Sequence, residues 1–304
     1  MRLRIAENFE ALFYAPLYAL RALGFADQEG LEIEWLPAGA PGGAIDAVRA
    51  GEVDATWGGP MRVMRDRDTM PLDGASLVCF GEVVGRDPFM LLMRREGPTD
   101  GPVRFDPGQL ASLRLSVVSE VPTPWQCLQL DLRDRGVDPA RLLAEGRVVQ
   151  GLSMSAQIEA LQARSVDVIQ LFEPHASVLE RAGRARVVYA ASERGPCCYT
   201  TFITSRDAMA RHRDAMAALV RALARVQGWM ATSGIDALAR VIAPRFPELD
   251  PGDLRAALSR YQSKAVWSTH PQVSRDGIAR LGKSLQAGGF VTRAASCEDI
   301  VAEP

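Results

Sequence analysis

An internal near-repeat constrains this chain more than any other feature. Residues 45–55 read IDAVRAGEVDA and residues 158–168 read IEALQARSVDV, an offset of 113 throughout. Isoleucine, an acidic residue, alanine, an aliphatic residue, a second alanine, valine and aspartate fall at matching places. In each copy a short helix should pack on a sheet and hand over to a strand led by aspartate. Any helix-to-strand unit shares part of this pattern; the fuller explanation is two similarly built α/β lobes. Ligands of such sheets bind beyond the carboxyl ends of the strands, so paired lobes would make an interlobe cleft.

The flanking pattern agrees. Residues 2–6 alternate as a strand, 16–23 read as a helix stopped by Gly24, and 31–36 alternate as a second strand. A helix over 44–50 and a strand over 53–57 follow, which makes β-α-β-α-β and predicts a parallel sheet. Strands are expected at 76–84 and 89–93, then, after a Pro/Gly-rich linker at 97–108, at 113–118, 147–150, 166–171, 185–190 and 199–204. Helices are expected at 124–135 and 156–163. Beyond 205 the chain reads as helical, over 207–231, 235–242, 251–264 and 274–287. The lobe boundaries implied are 1–85 with 190–304 for lobe one and 86–189 for lobe two, with hinge strands near 84–90 and 186–191.

Composition excludes several classes. The 304 residues carry 35 Lys+Arg against 37 Asp+Glu and no block of like charges, so a nucleic-acid-binding surface is not expected. No run of 18 apolar residues exists to insert in a membrane. The apolar stretch 11–20 follows Arg2 and Arg4, but Glu7, Glu10 and Pro16 interrupt any secretory leader there. The expected location is periplasmic if a leader precedes this chain and cytoplasmic otherwise. Only Lys264 and Lys283 could form a Schiff base. Five cysteines without C-x-x-C spacing argue against a disulfide framework or a zinc ribbon. Gly151–Ser155 lacks the closing glycine of a nucleophile elbow, and His212 and His270 are isolated, read as a solvated helix residue and a loop residue.

The segments Ala15-Pro16-Leu17-Tyr18-Ala19, Gly24-Phe25 and Glu29-Gly30-Leu31-Glu32-Ile33 resemble the opening of nitrate/sulfonate/taurine-type solute-binding proteins. That group includes binding proteins for thiamine-pyrimidine precursors. Ala50–Ala55 and Glu173-Pro174 are similar to two further hallmarks, and the resemblance covers residues 3–230 in element order. It implies a type II periplasmic-binding-protein fold, two α/β lobes with a hinge and an interlobe ligand cleft. It also implies a monomeric solute-binding protein of an ABC-type importer, with a permease and an ATPase as partners and no cofactor. Cys197-Cys198 looks similar to the cysteine-rich segment of pyrimidine synthases, which leaves an enzyme using Cys197 or Cys198 as an alternative. At the matching strand end this chain reads Trp57-Gly58-Gly59-Pro60-Met61-Arg62, without the synthase lysine or histidine, so that activity is not carried over. A cytoplasmic sensor of the same ligand is a further alternative.

The candidate site is the set of loops at the carboxyl ends of the strands. Gly39, Gly42 and Gly43 could present amides to an anion at a helix start. Ser119 and Thr123 bracket another helix start, where simple N-capping is the plainer reading. Phe13, Tyr14, Trp57, Trp125 and Tyr199 offer flat faces for a ring-bearing ligand. Asn8, Gly58 and Gly59 share these loops, and Glu10, Glu82, Glu120 and Glu173 add acceptors. This company suits an amino- or ring-nitrogen-bearing heteroaromatic, such as a pyrimidine precursor, better than nitrate; a sulfonate or carboxylate is the other ligand class. His175 and Cys198 complete the set. With Cys197 they would make a soft metal group, although burial as small hydrophobes is the simpler role for both thiols.

Overall fold

A computed structural model describes residues 1–37, 43–95 and 105–304. The chain runs Arg2–Ala6 (β1), Ala15–Ala22 (α1), Phe25–Gln28 (α2), Glu32–Leu36 (β2), Gly43–Arg49 (α3), Ala55–Gly58 (β3), Met61–Thr69 (α4) and Leu77–Val84 (β4). It continues through Met90–Arg94 (β5), Leu115–Ser116 (β6), Thr123–Arg133 (α5), Pro139–Ala144 (α6), Val148–Val149 (β7), Met154–Gln162 (α7), Val168–Leu171 (β8), His175–Arg181 (α8) and Ala185–Ala190 (β9). Thr200–Ser205 (β10), Arg206–Arg211 (α9), Arg213–Ile242 (α10), Pro251–Ser263 (α11), Arg275–Ala287 (α12) and Cys297–Ile300 (α13) close it. Two compact units result: Met1–Asp87 with Gly195–Pro304, and Pro88–Arg194.

Each unit holds a five-stranded sheet of the same plan. The first runs β2-β1-β3-β10-β4 and the second β7-β6-β8-β5-β9. In each, the first three strands are parallel and the fourth is antiparallel to both its neighbours. The near-repeat marks the element both units share, the helix leading into the third strand (α3–β3 and α7–β8). Its hydrogen bonds match at the same offset of 113. Gly51 N–H donates to Val48 O and Glu52 N–H to Ala47 O; Arg164 N–H donates to Leu161 O and Ser165 N–H to Ala160 O. Both helices thus end in a left-handed cap, with φ 71° at Gly51 and 60° at Arg164. The repeated aspartates do the same work: Asp54 accepts from Arg4 N–H and Asp167 from Arg114 N–H, each at 2.8 Å. Each carboxylate ties the head of the third strand to the first.

Burial follows the pattern. Leu3, Ile5, Val63, Phe80 and Phe202 fill the first unit, while Leu115, Leu128, Leu132, Val148 and Val168 form the second core. Several strands, such as those expected at 53–57 and 113–118, are shorter than alternation alone predicts. Val53 N–H turns back to Ala47 O and belongs to the helix cap, and Val118 N–H goes to Gln170 Oε1, which ends β6. Helices α4, α6 and α8 lie outside the expected set, because each is short and buries only a few side chains. Gly234, at φ 76°, breaks α10 between the two helices expected there. His212 is not simply solvated: its Nε2 lies 3.3 Å from Asp54 Oδ1.

Candidate functional site

In the first unit the carboxyl ends of β1 and β3 are stitched together by Asn8. Its Nδ2 donates to Trp57 O at 3.0 Å and reaches the Tyr14 hydroxyl at 3.5 Å, while its Oδ1 accepts from Phe9 N–H. Around that amide the aromatic residues interlock edge to face. Tyr14 lies 4.5 Å from Phe13, 5.6 Å from Phe9 and 5.9 Å from Trp57 between ring centroids; Phe13 meets Tyr199 at 5.8 Å and Trp57 meets Trp35 at 6.1 Å. Such T-shaped pairs contribute about 0.5–1.5 kcal/mol each beyond area burial and fix ring orientation. Burial, first of all, drives the Tyr14 phenol far above its usual range, so it remains a protonated donor.

Arg62, the second residue of α4, stands beside this cluster. It is half-buried and within electrostatic reach of Tyr14, Asp46 and Tyr199, yet its side chain forms no hydrogen bond or ion pair among the described residues. Desolvation is the largest influence on it and lowers its pKa. A guanidinium still keeps its proton, so a cation with no hydrogen-bonded counter-ion among the described residues sits at the strand end, with the Asp46 charge in reach. The indole N–H of buried Trp57 also has no acceptor among the described residues. Donors outnumber acceptors here.

The acceptors expected in this unit are already engaged. Glu82 accepts from Ser268 Oγ at 2.6 Å and from Ser274 N–H at 3.0 Å, and Glu10 pairs with Arg245 Nε at 2.8 Å. Gly59 O accepts from Arg62 N–H, and a Cβ on Gly58 would meet Asn8 Nδ2 at 3.4 Å. Cys197 and Cys198 are fully buried. Burial and then the Glu82 charge hold the Cys198 thiol well above its usual pKa, the reverse of what a nucleophile or metal ligand needs. Gly39 and Gly42 lie outside the described residues, and Gly43 opens the seven-residue α3.

The second unit uses its expected residues for its own architecture. Trp125 belongs to the hydrophobic core with Leu128 and Leu132 and offers no open face. Glu173 is buried, and its carboxylate accepts from Ser177 N–H and Ser177 Oγ at 2.9 Å each, bracing the first turn of α8. Thr123 is the buried first residue of α5, but Pro122 occupies the N-cap and no side chain caps it. Ser119 Oγ instead accepts from Gly151 N–H at 2.7 Å, and exposed Glu120 accepts from Ser119 N–H. His175 stacks edge-on to Phe172 at 5.9 Å, and burial lowers its pKa. Among the described residues no three His, Cys, Asp or Glu side chains gather as a metal site, and no helix is long and apolar enough to cross a membrane.

A family model described as NMT1/THI5 like matches residues 13–233. The chain belongs to the NMT1/THI5-like family. The chain is 22% identical over 282 residues to the "Putative binding protein YtlA" of Bacillus subtilis (strain 168), covering 89% of this chain and 78% of that protein. The periplasmic aliphatic sulphonate binding protein SsuA from Escherichia coli superposes with a TM-score of 0.75 at 13% identity, covering 99% of this chain and 97% of its own. The alkanesulfonate-binding protein SsuA from Xanthomonas axonopodis pv. citri, bound to MOPS, gives 0.71 at 16% identity, covering 100% and 98%. These structures share the fold, that of periplasmic binding proteins.

In this NMT1/THI5-like chain the residue that sequence reasoning passed over is Arg62. The stretch 57–62 drew notice for lacking a lysine and a histidine, although an arginine two residues past Pro60 stands at the end of a parallel strand. Phe9 was missed too, and its neighbours Asn8 and Glu10 were the available signal.

Proposed function

We propose that this chain is a small-molecule-binding protein of the ABC-import type whose ligand is an organic anion, a sulfonate or carboxylate on an apolar or aromatic body. The observation that carries the reading is Arg62, a half-buried guanidinium without a hydrogen bond or ion pair from its side chain among the described residues. Arginine recognises planar or tetrahedral oxyanions through its fork of N–H donors, and low local dielectric strengthens that pairing. The Tyr14 hydroxyl and the unpartnered Trp57 indole N–H supply neutral donors in the same cluster, and the edge-to-face rings supply apolar area. Glu10, Glu82 and Glu173 have internal partners, so the argument for an amino-bearing pyrimidine loses its acceptors. The sulfonate-binding relatives on the same fold favour the anionic class. A permease and its ATPase, and a periplasmic location, go with this reading.

A thermal-shift panel tests it. Alkane- and arylsulfonates and carboxylates are each compared with the matching neutral amide, alongside a cationic aminopyrimidine. A ligand at a hundred times its Kd stabilises by about 2.7 kcal/mol, enough for a shift of several degrees. The acids should raise Tm and their amides should not. A rise with the aminopyrimidine and with none of the acids would contradict the proposal.

A further inference from the structure

Glu82 is buried on β4, its carboxylate accepts only from neutral groups, and no ion pair to it forms among the described residues. Burying a carboxylate on neutral donors alone is costly, so the arrangement calls for a geometric purpose. Two separate segments meet around it. One is the loop 265–274, held through Ser268 Oγ and Ser274 N–H; the other is the turn at Cys198, whose thiol is within electrostatic reach of Glu82 and whose N–H, like that of Cys197, donates to Gly85 O. The Glu82 peptide is fixed as well, with its N–H on Pro271 O and its carbonyl accepting from Gln227 Nε2.

Both segments lead to the same residue, Phe13. Next to Ser268, Trp267 donates its Nε1–H to Phe13 O at 3.0 Å. Next to Cys198, which holds a left-handed φ of 45°, Tyr199 sets its ring edge-on to Phe13. The knot has no slack. A Cβ on Gly85 would come within 2.8 Å of Ser268 Oγ and 2.9 Å of Glu82 Oε1, and one on Gly277 within 2.8 Å of Cys198 N. We propose that Glu82 is a positioning residue for the aromatic wall: one carboxylate clamps the Trp267 loop against the Cys198 turn, and so sets Phe13 and Tyr199, and through Phe13 the Tyr14 ring. This role rests on reading the Tyr14–Arg62 cluster as the ligand surface.

The test uses the whole chain labelled with 3-fluorotyrosine, with the Tyr14 and Tyr199 lines assigned by Y14F and Y199F. In ligand-free S268A and E82A both 19F lines should move. E82Q should move them less, because the Ser268 hydroxyl can turn to accept from the amide while the remaining oxygen still takes Ser274 N–H. C198S, which keeps a donor, should leave the Tyr199 line near its native position, whereas C198A should displace it. Benzenesulfonate affinity should fall about tenfold in S268A, the equivalent of about 1.4 kcal/mol. If E82A does not fold, S268A and C198A still decide the matter. A lowered Tm with unmoved 19F lines and unchanged affinity would make Glu82 a mere anchor and overturn the proposal. Moved lines in a protein that binds no acid would support the positioning role and sink the ligand reading, so the two failures are separable.

Discussion

Desolvation acts on both Arg62 and Cys198 and has opposite consequences for them. The guanidinium stays charged and has no hydrogen bond or ion pair from its side chain among the described residues, whereas the thiol stays neutral beside Glu82. Burial likewise pushes the Cys79 thiol up to about 12. Cys79, Cys127, Cys197 and Cys198 are all buried, and only Cys297 is partly exposed. Iodoacetamide at pH 8 should therefore modify the native protein once, at Cys297, with peptide mapping as the check; labelling at Cys198 would contradict the buried knot. His175 provides a pH test. Its folded pKa lies below the usual histidine value because burial disfavours the charged ring. The unfolded chain then binds the extra proton first, so this contribution is intact above about pH 6.5 and fades as pH falls toward the folded pKa. The drop in Tm between pH 7.5 and 5.5 should be smaller in His175→Gln than in the wild type. At this scale the sequence was legible where a side chain sits at a strand end, as with Asn8, Tyr14 and Trp57. It was illegible where the same kind of position turns inward. Trp125 heads an i, i+3, i+7 stripe with Leu128 and Leu132, and that spacing was the available sign of a core residue.

Among the elements, the repeated helix cap gives the cleanest comparison inside one molecule. Gly51 and Arg164 occupy equivalent left-handed positions with equivalent hydrogen bonds. Glycine adopts that conformation freely, whereas a residue with a Cβ gives up about 1–2 kcal/mol there. Arg164→Gly returns some of this gain through the greater freedom of the unfolded chain, leaving a net stabilisation of about 0.5–1 kcal/mol. Urea unfolding should show the midpoint rising at an unchanged slope; a falling midpoint would mean that the Arg164 side chain contributes more than its backbone costs. Helices with long apolar stripes, such as α5, α11 and α12, were readable from spacing. The six- to nine-residue helices α4, α6 and α8 were not, since two to four buried residues leave no period to detect.

For the molecule as a whole, the sheet plan explains why a repeat of eleven residues said so much. Each unit builds three parallel strands around one helix-to-strand element and inserts an antiparallel fourth strand, β10 in one and β5 in the other. The inserted strands enter from opposite directions along the chain, so no sequence repeat marks them, and only the shared element stays visible. Ligand class was harder to read. Four glutamates suggested an amino- or ring-nitrogen-bearing guest, but whether a carboxylate is free depends on contacts distant in sequence, such as Glu82 with Ser268 and Glu10 with Arg245. In the aromatic cluster the Arg62 side chain has no hydrogen bond or ion pair among the described residues, and the account rests on it. Isothermal titration of wild type and Arg62→Gln with the acid that raises Tm most measures this directly, with Tm confirming that the variant is folded. The account predicts at least tenfold weaker binding in Arg62→Gln, the loss of about 1.4 kcal/mol or more expected of a charge-assisted pair. Equal affinity in the two proteins would contradict it.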